Sequence, residues 1–153
     1  MIKIVMKRIV TNSLFVLLAA SSFSVMAADK VLHLDVKDVL DSSFSEGKLD
    51  GSVKFYFAGQ STPKVLKTME EDVTNKKTNA FGKSKEEACK WVMLSALLTL
   101  QESAKARGAN AVIGIVSYYK KVEYKNASQF ECHAGNIMSG VALKGRYAKL
   151  ASK

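Results

Sequence analysis

The sequence predicts an α+β domain in which a mostly antiparallel sheet packs on one long helix. Residues 85–107 have the pattern of a helix, with a cap at Ser84 and a stop at Gly108. After Gly108 the hydrophobic period changes from 3.6 to 2, and residues 53–57 alternate in the same way before the helix. Strands on both sides of a single long helix favour the α+β class.

The helix over residues 85–107 is the clearest element. Ser84 and Glu87 have the spacing of a capping box, in which each side chain bonds a backbone N–H that the helix leaves unpaired. Nearly every residue from 91 to 100 is apolar, and these residues occupy more than one face of the helix. Either the sheet and loops wrap the helix, or it lies in a homo-oligomer interface.

Three strands are predicted before the helix. Residues 31–36 alternate between apolar and polar side chains and precede a polar loop that ends near residue 51. Residues 53–57 form a second, half-buried strand, and residues 65–73 form a short third strand. Residues 75–79 are polar and are predicted as an exposed loop.

Three further strands are predicted after the helix. Residues 111–116 are β-branched and continue through 117–124 as one strand. Residues 125–128 form a turn that leads to a return strand over 129–133. The last strand covers residues 137–149.

Residues 1–27 have the pattern of a secretory signal peptide. An apolar run covers residues 14–25, and the small residues before Ala28 suit cleavage at that point. A retained membrane anchor is the alternative, but the run is shorter than the roughly 20 apolar residues that a spanning helix needs. The positively charged start consists of Lys3, Lys7 and Arg8. Cleavage leaves a single exported domain, residues 28–153, that is periplasmic or secreted.

The formal net charge of the chain is +9, and removal of the three basic signal residues leaves +6. A moderate positive charge favours contact with an anionic lipid or polysaccharide surface, and it also keeps proteins soluble. Four side chains are candidates for an anion-binding strip, although they also fit the solvated face of a sheet: Lys120, Lys121, Lys144 and Arg146. Nucleic acid is not an expected partner.

The chain has two cysteines, Cys89 and Cys132. An even count in an exported protein predicts a disulfide. The closed loop of roughly 44 residues would stabilise the fold by up to about 4 kcal/mol. The two cysteines with His33 and His133 are a possible zinc or copper set, but their spacing is unlike that of known sites, and a disulfide removes both thiols. We therefore expect no metal, no cofactor and no cysteine nucleophile.

The triplet Gly82-Lys83-Ser84 resembles the end of a phosphate-binding loop. A complete loop needs a glycine five positions before the Gly-Lys pair, where this chain has Lys77. The triplet is therefore interpreted as a helix cap, and the protein is not expected to be an ATPase.

Six short motifs lie between residues 87 and 150: Ala88-Cys89-Lys90-Trp91, Leu100-Gln101-Glu102, Gly108-Ala109-Asn110-Ala111-Val112, Val116-Ser117-Tyr118-Tyr119-Lys120-Lys121, Phe130-Glu131-Cys132-His133-Ala134-Gly135 and Ser139-Gly140-Val141-Ala142-Leu143-Lys144-Gly145. In these motifs the chain resembles a family of small exported proteobacterial proteins that are commonly labelled "excinuclease ATPase subunit". The export signal and the incomplete phosphate loop of this chain argue against an ATPase activity, and the resemblance assigns no catalytic residue.

A weaker resemblance is to YbjQ-like and Rcs-lipoprotein-like domains, which share a helix followed by Gly-Ala-Asn-Ala-Val and a strand. It implies an α+β sandwich-like domain, with ring-like oligomers in one group and a disulfide-stabilised envelope sensor in the other. The sequence thus leaves three functions open. The first is a non-enzymatic binding or structural module, the second a protein that binds anionic lipid or another polyanion, and the third a small exported hydrolase.

Overall fold

The computed structural model describes residues 29–42 and 45–152. The predicted signal peptide, residues 1–27, lies outside the described residues. The α+β class is confirmed, because the described residues form a six-stranded sheet and one main helix. Their elements are β1 (Lys30–Asp35), α1 (Val36–Leu40), β2 (Lys54–Phe57), β3 (Val65–Asn79), α2 (Lys85–Ala106), β4 (Ala111–Ser117), β5 (Gln129–Ala134) and β6 (Met138–Leu150).

The strand β6 organises the sheet. Along one edge it pairs with β3 over almost its whole length. Its other edge is shared, because β5 pairs with the start of β6 and β4 pairs with its second half. The strand β1 then pairs with β5, and β2 pairs with β4. The β2–β4 pairing is parallel and the other four described pairings are antiparallel.

The helix α2 begins and ends close to the predicted residues. The Ser84 hydroxyl accepts a hydrogen bond from the backbone N–H of Glu87 at 3.0 Å, so the predicted N-cap is present. Gly108 has a φ of +69° just beyond the helix, a backbone conformation that glycine adopts without strain. Residues of α2 share one buried cluster with residues of β4, β5 and β6.

A second side of α2 is covered by the segment between α1 and β2. The buried Gln101 amide donates to the Lys48 carbonyl oxygen and accepts from the Asp50 N–H, both at 3.2 Å. The Lys105 ammonium group bonds the Asp50 carboxylate and holds the pKa of that carboxyl well below its usual range. Ten residues of α2 are buried within the single chain.

The predicted disulfide is confirmed. Cys89 of α2 and Cys132 of β5 are bonded, with their Cα atoms 5.9 Å apart. Both cysteines are fully buried. The bond joins the main helix to the sheet.

The prediction for residues 75–79 is wrong, because they belong to β3 and not to a loop. Asn75 to Asn79 pair in register with residues 138–142 of β6. The polar composition reflects an edge position: β3 pairs only with β6 among the described strands, so its side chains are mostly exposed. The third strand is consequently 15 residues long.

The continuation of β4 through residues 117–124 is also wrong. The chain leaves the sheet after Ser117 and forms a 3₁₀ turn over Tyr119–Lys121. Lys120 and Lys121 have φ angles of +50° and +64°. Tyr124 then pairs back with Ser117 through two backbone hydrogen bonds of 2.9 and 3.1 Å. A tight loop therefore replaces the predicted strand.

The predicted loop after the first strand begins with the short helix α1 instead. Val36 and Val39 are both buried, and their spacing of three residues places them on one helical face. Within the described part of the chain, no helix is both long and apolar enough to cross a membrane.

Candidate ligand-binding cleft

Four strands bring their ends together at one end of the sheet. The first residue of β1 pairs with the last residue of β5, and the last residue of β3 pairs with the first residue of β6. The turn between β5 and β6 closes through a hydrogen bond of 2.9 Å from the Gly135 N–H to the Met138 carbonyl oxygen. This β5–β6 turn, residues 135–137, lines a cleft.

The cleft has a volume of about 490 Å³, within the range of small-molecule sites. A Cβ atom at Gly135 would lie 2.7 Å from the Met138 carbonyl oxygen, so the turn has no room for a side chain there. The lining combines hydrogen-bonding and apolar side chains, among them Asp29, Lys77, Tyr119, His133, Ile137 and Ser139.

Beside the cleft, Ser139 has an unpaired hydroxyl that lies on the opposite face of the sheet from His133, because Ser139 pairs with Ala134. Its residue is 1% exposed, and its Oγ atom has no hydrogen-bond partner among the described residues. A buried hydroxyl without a partner costs about 1–3 kcal/mol, so such groups are few in folded proteins. The neighbouring Gly140 leaves the wall beside it without a side chain.

Both histidines of the chain bond the same carboxylate next to the cleft. His33 lies directly opposite Glu131 across the β1–β5 pair, and His133 lies two residues beyond Glu131 on the same face. The His133 Nε2 atom is 2.7 Å from Glu131 Oε1, and His33 Nε2 is 3.5 Å from Oε2. The carboxylate is therefore held between two imidazole rings.

Each histidine also stacks on a tyrosine from the loop after β4. The rings of Tyr119 and His133 are nearly parallel, with centroids 3.4 Å apart, and those of Tyr124 and His33 are 4.4 Å apart. The turn at Tyr119–Lys121 makes this possible, because it folds both tyrosines back over β5 and β1. The stacks hold His133 in a fixed orientation at the cleft wall.

The arrangement suits binding better than nucleophilic catalysis. Cys89 and Cys132 are joined to each other, so neither provides a thiolate. The Ser139 hydroxyl lacks the hydrogen bond to a base that activates a serine nucleophile. Among residues 29–42 and 45–152, no group of three or more His, Cys, Asp or Glu side chains is placed to hold a metal ion.

Two of the predicted anion-binding residues are engaged with carboxylates. The Lys144 ammonium group bonds Glu123, which raises the pKa of Lys144 and lowers the pKa of Glu123. It also lies 4.7 Å from the centroid of the Tyr118 ring. Arg146 contacts Glu71 at 3.6 Å and donates to the Met69 carbonyl oxygen at 3.0 Å. Both cations are thus already paired on the sheet.

The other two predicted residues, Lys120 and Lys121, lie in the turn beside the cleft. Both are exposed, and no carboxylate of the described residues is within ion-pairing distance of them. The Lys120 ammonium group is 5.5 Å from the centroid of Tyr119, which lines the cleft. Of the four candidates, Lys144 and Arg146 are therefore paired with carboxylates, whereas Lys120 and Lys121 are not paired with any carboxylate of the described residues.

Sequence reasoning did not assign Glu131, Tyr124 or Ser139 to a site, and it considered the histidines only as metal ligands or as partners of a cysteine nucleophile. The pattern Glu131-x-His133 on a strand places the two side chains on one face and was a usable signal. The contact with His33 depends on the β1–β5 register, which no local pattern reveals.

No protein-family model matches the chain, and no curated protein is significantly similar to it. The resemblances described for residues 87–150 therefore stay predictions.

Proposed function

We propose that the protein is an exported, non-enzymatic binding module whose ligand occupies the cleft at the β5–β6 turn. The observation that carries the proposal is the set of polar and aromatic side chains that line this cleft, with Lys77, Tyr119 and His133 among them. The volume of about 490 Å³ suits a small molecule.

The lining indicates a polar ligand with oxygen atoms. Lys77 and Asn136 offer donors around the cleft, and Ile137 and Met138 offer apolar contact. Tyr119 and His133 form a stacked pair in the wall, which presents a rigid surface and costs little entropy on binding. A small carboxylate, phosphate ester or saccharide fits this combination.

A hydrolase is less well supported. A hydrolase needs a nucleophile or an activated water beside a base. Here the Nε2 atom of His133 is directed at Glu131, and the Ser139 hydroxyl bonds neither His133 nor Glu131. We therefore keep the cleft as a binding site and not as an active site.

The proposal includes export of the protein from the cytoplasm. The Cys89–Cys132 disulfide indicates a location outside the reducing cytoplasm. We propose that residues 1–27 are a signal peptide removed before Ala28, which makes Asp29 the second residue of the mature chain. Since Asp29 lines the cleft, processing would place the new N-terminus close to the ligand.

A fragment screen by NMR tests the proposal. The exported protein is isotope-labelled, and its amide signals are followed while small carboxylates, phosphates and saccharides are added. The proposal predicts that binding fragments shift the amides of Gly135, Ser139 and Gly140. Fragments that bind only at other surfaces, or a set with no binder, would contradict it.

A further inference from the structure

Three exposed apolar side chains form a tip at the cleft end of the molecule. Phe81 is 81% exposed, Ile137 71% and Met138 45%. The backbone brings them together, because the Ala80 N–H donates to the Ile137 carbonyl oxygen at 2.7 Å and Asn79 pairs with Met138. We call Phe81, Ile137 and Met138 the apolar tip.

Lysines surround this tip. Lys83 follows Phe81 in the turn before α2 and donates to the Asn79 carbonyl oxygen at 3.1 Å. Lys77 lines the cleft together with Ile137 and Met138. Across the cleft, the exposed Lys120 and Lys121 precede Val122, which is 70% exposed. Lysines and exposed apolar side chains therefore lie together at one end of the molecule.

Four lysines lie around the tip: Lys77, Lys83, Lys120 and Lys121. Of the carboxylates near this end, Asp29 lies in the cleft, Glu86 and Glu87 occupy the first turn of α2, and Glu131 is bonded by both histidines. With the predicted signal peptide removed, the chain carries +6 overall. The excess charge complements an anionic partner.

We propose that the apolar tip docks the protein on a membrane surface that contains anionic phospholipid. Three exposed side chains are too few for a stable protein interface, which takes about 800 Å² from each partner. They suit shallow insertion at the boundary of headgroups and acyl chains, with the lysines at the phosphates. This inference does not depend on the ligand of the cleft.

Vesicle co-sedimentation of the exported protein tests the inference. Vesicles of phosphatidylcholine with phosphatidylglycerol are compared with vesicles of phosphatidylcholine alone. We expect binding to the anionic vesicles that weakens as salt rises. The variant Phe81→Ser/Ile137→Ser should bind at least about tenfold less, because it removes most of the inserted apolar area. The variant Lys77→Gln/Lys83→Gln should lose roughly fivefold for each lysine.

The matched control is Val65→Ser/Leu66→Ser. These residues are 36% and 60% exposed at the opposite end of β3, where Val65 pairs with Leu150. The control should bind vesicles like the unmodified protein. The proposal is overturned if the lysine variant loses binding while Phe81→Ser/Ile137→Ser does not, since that pattern indicates a polyanion site. Equal losses in tip and control variants, or equal binding to both vesicle types, overturn it as well.

Discussion

Cys132 and His133 are neighbours on β5 whose side chains lie on opposite faces of the sheet. Cys132 is fully buried and bonded to Cys89 of α2, whereas His133 stacks on Tyr119 and lines the cleft. The disulfide therefore anchors the strand that carries the cleft histidine. Adjacent residues of β5 therefore carry the disulfide that stabilises the fold and a histidine of the candidate site.

The disulfide should supply a large part of the stability. The variant Cys89→Ala/Cys132→Ala is expected to lower the free energy of unfolding by about 4 kcal/mol, because a closed loop of this length restricts the unfolded chain. Urea denaturation under oxidising conditions measures the loss, and the reduced unmodified protein is the control. A loss below about 1 kcal/mol would show that the bond adds little.

Glu131 should stabilise the β1–β5 pair through both histidines. Glu131→Gln removes the charge but keeps one acceptor oxygen, so we expect a loss of about 1 kcal/mol. The exposed Glu86→Gln in the first turn of α2 is a control for loss of a carboxylate. An equal effect of the two substitutions in urea denaturation would speak against a special role of Glu131.

Two glycines of β6 should respond differently to alanine. At Gly145 a Cβ atom would lie 2.7 Å from Val112 Cγ1 and 3.1 Å from Ile115 Cγ1, so Gly145→Ala is expected to cost about 1–3 kcal/mol. At Gly140 the nearest atoms would be 3.6 Å away or more, and Gly140→Ala should fold with nearly unchanged stability. Thermal unfolding of both variants measures their stability. A greater loss of stability in Gly140→Ala than in Gly145→Ala would refute the packing described for β4 and β6.

Tyr147 should make the protein sensitive to alkali. Burial raises the pKa of its hydroxyl to about 12, and this hydroxyl donates to Asp72 at 2.8 Å. The unfolded tyrosine ionises near its ordinary pKa of about 10, so the contribution is complete below pH 10 and is lost as the pH rises to 12. Unfolding measured from pH 9 to 12 should show a loss of about 2 kcal/mol in the unmodified protein that Tyr147→Phe lacks. Parallel curves for the two proteins would contradict the assignment to Tyr147.

The sequence predicted the elements whose signals are local. Ser84 and Gly108 marked the two ends of the helix, and the turn at 125–128 marked the start of the strand that became β5. Asn75 to Asn79 were missed because an exposed edge strand has the same polar composition as a loop. The loop at 118–124 was missed because two lysines adopt the left-handed backbone conformation, which lysine rarely adopts and which the sequence therefore does not predict.

The site was less predictable than the fold. Of the cleft lining, Lys77 was noticed only as a departure from a phosphate-binding loop, and Ser139 only as part of a motif. The contact of His33 with Glu131 and the burial of the Ser139 hydroxyl both arise from strand pairing between distant segments. Such relationships depend on register, which single-sequence patterns specify weakly.

The most direct test of the central claim compares Lys77→Gln with Lys67→Gln. Both lysines are exposed on β3, but only Lys77 lines the cleft, whereas Lys67 pairs with Lys149 near the other end of the strand. Titration calorimetry with the tightest anionic fragment from the NMR screen should show an affinity about tenfold lower for Lys77→Gln and unchanged for Lys67→Gln. Equal affinities for all three proteins would contradict the account of the cleft as a binding site.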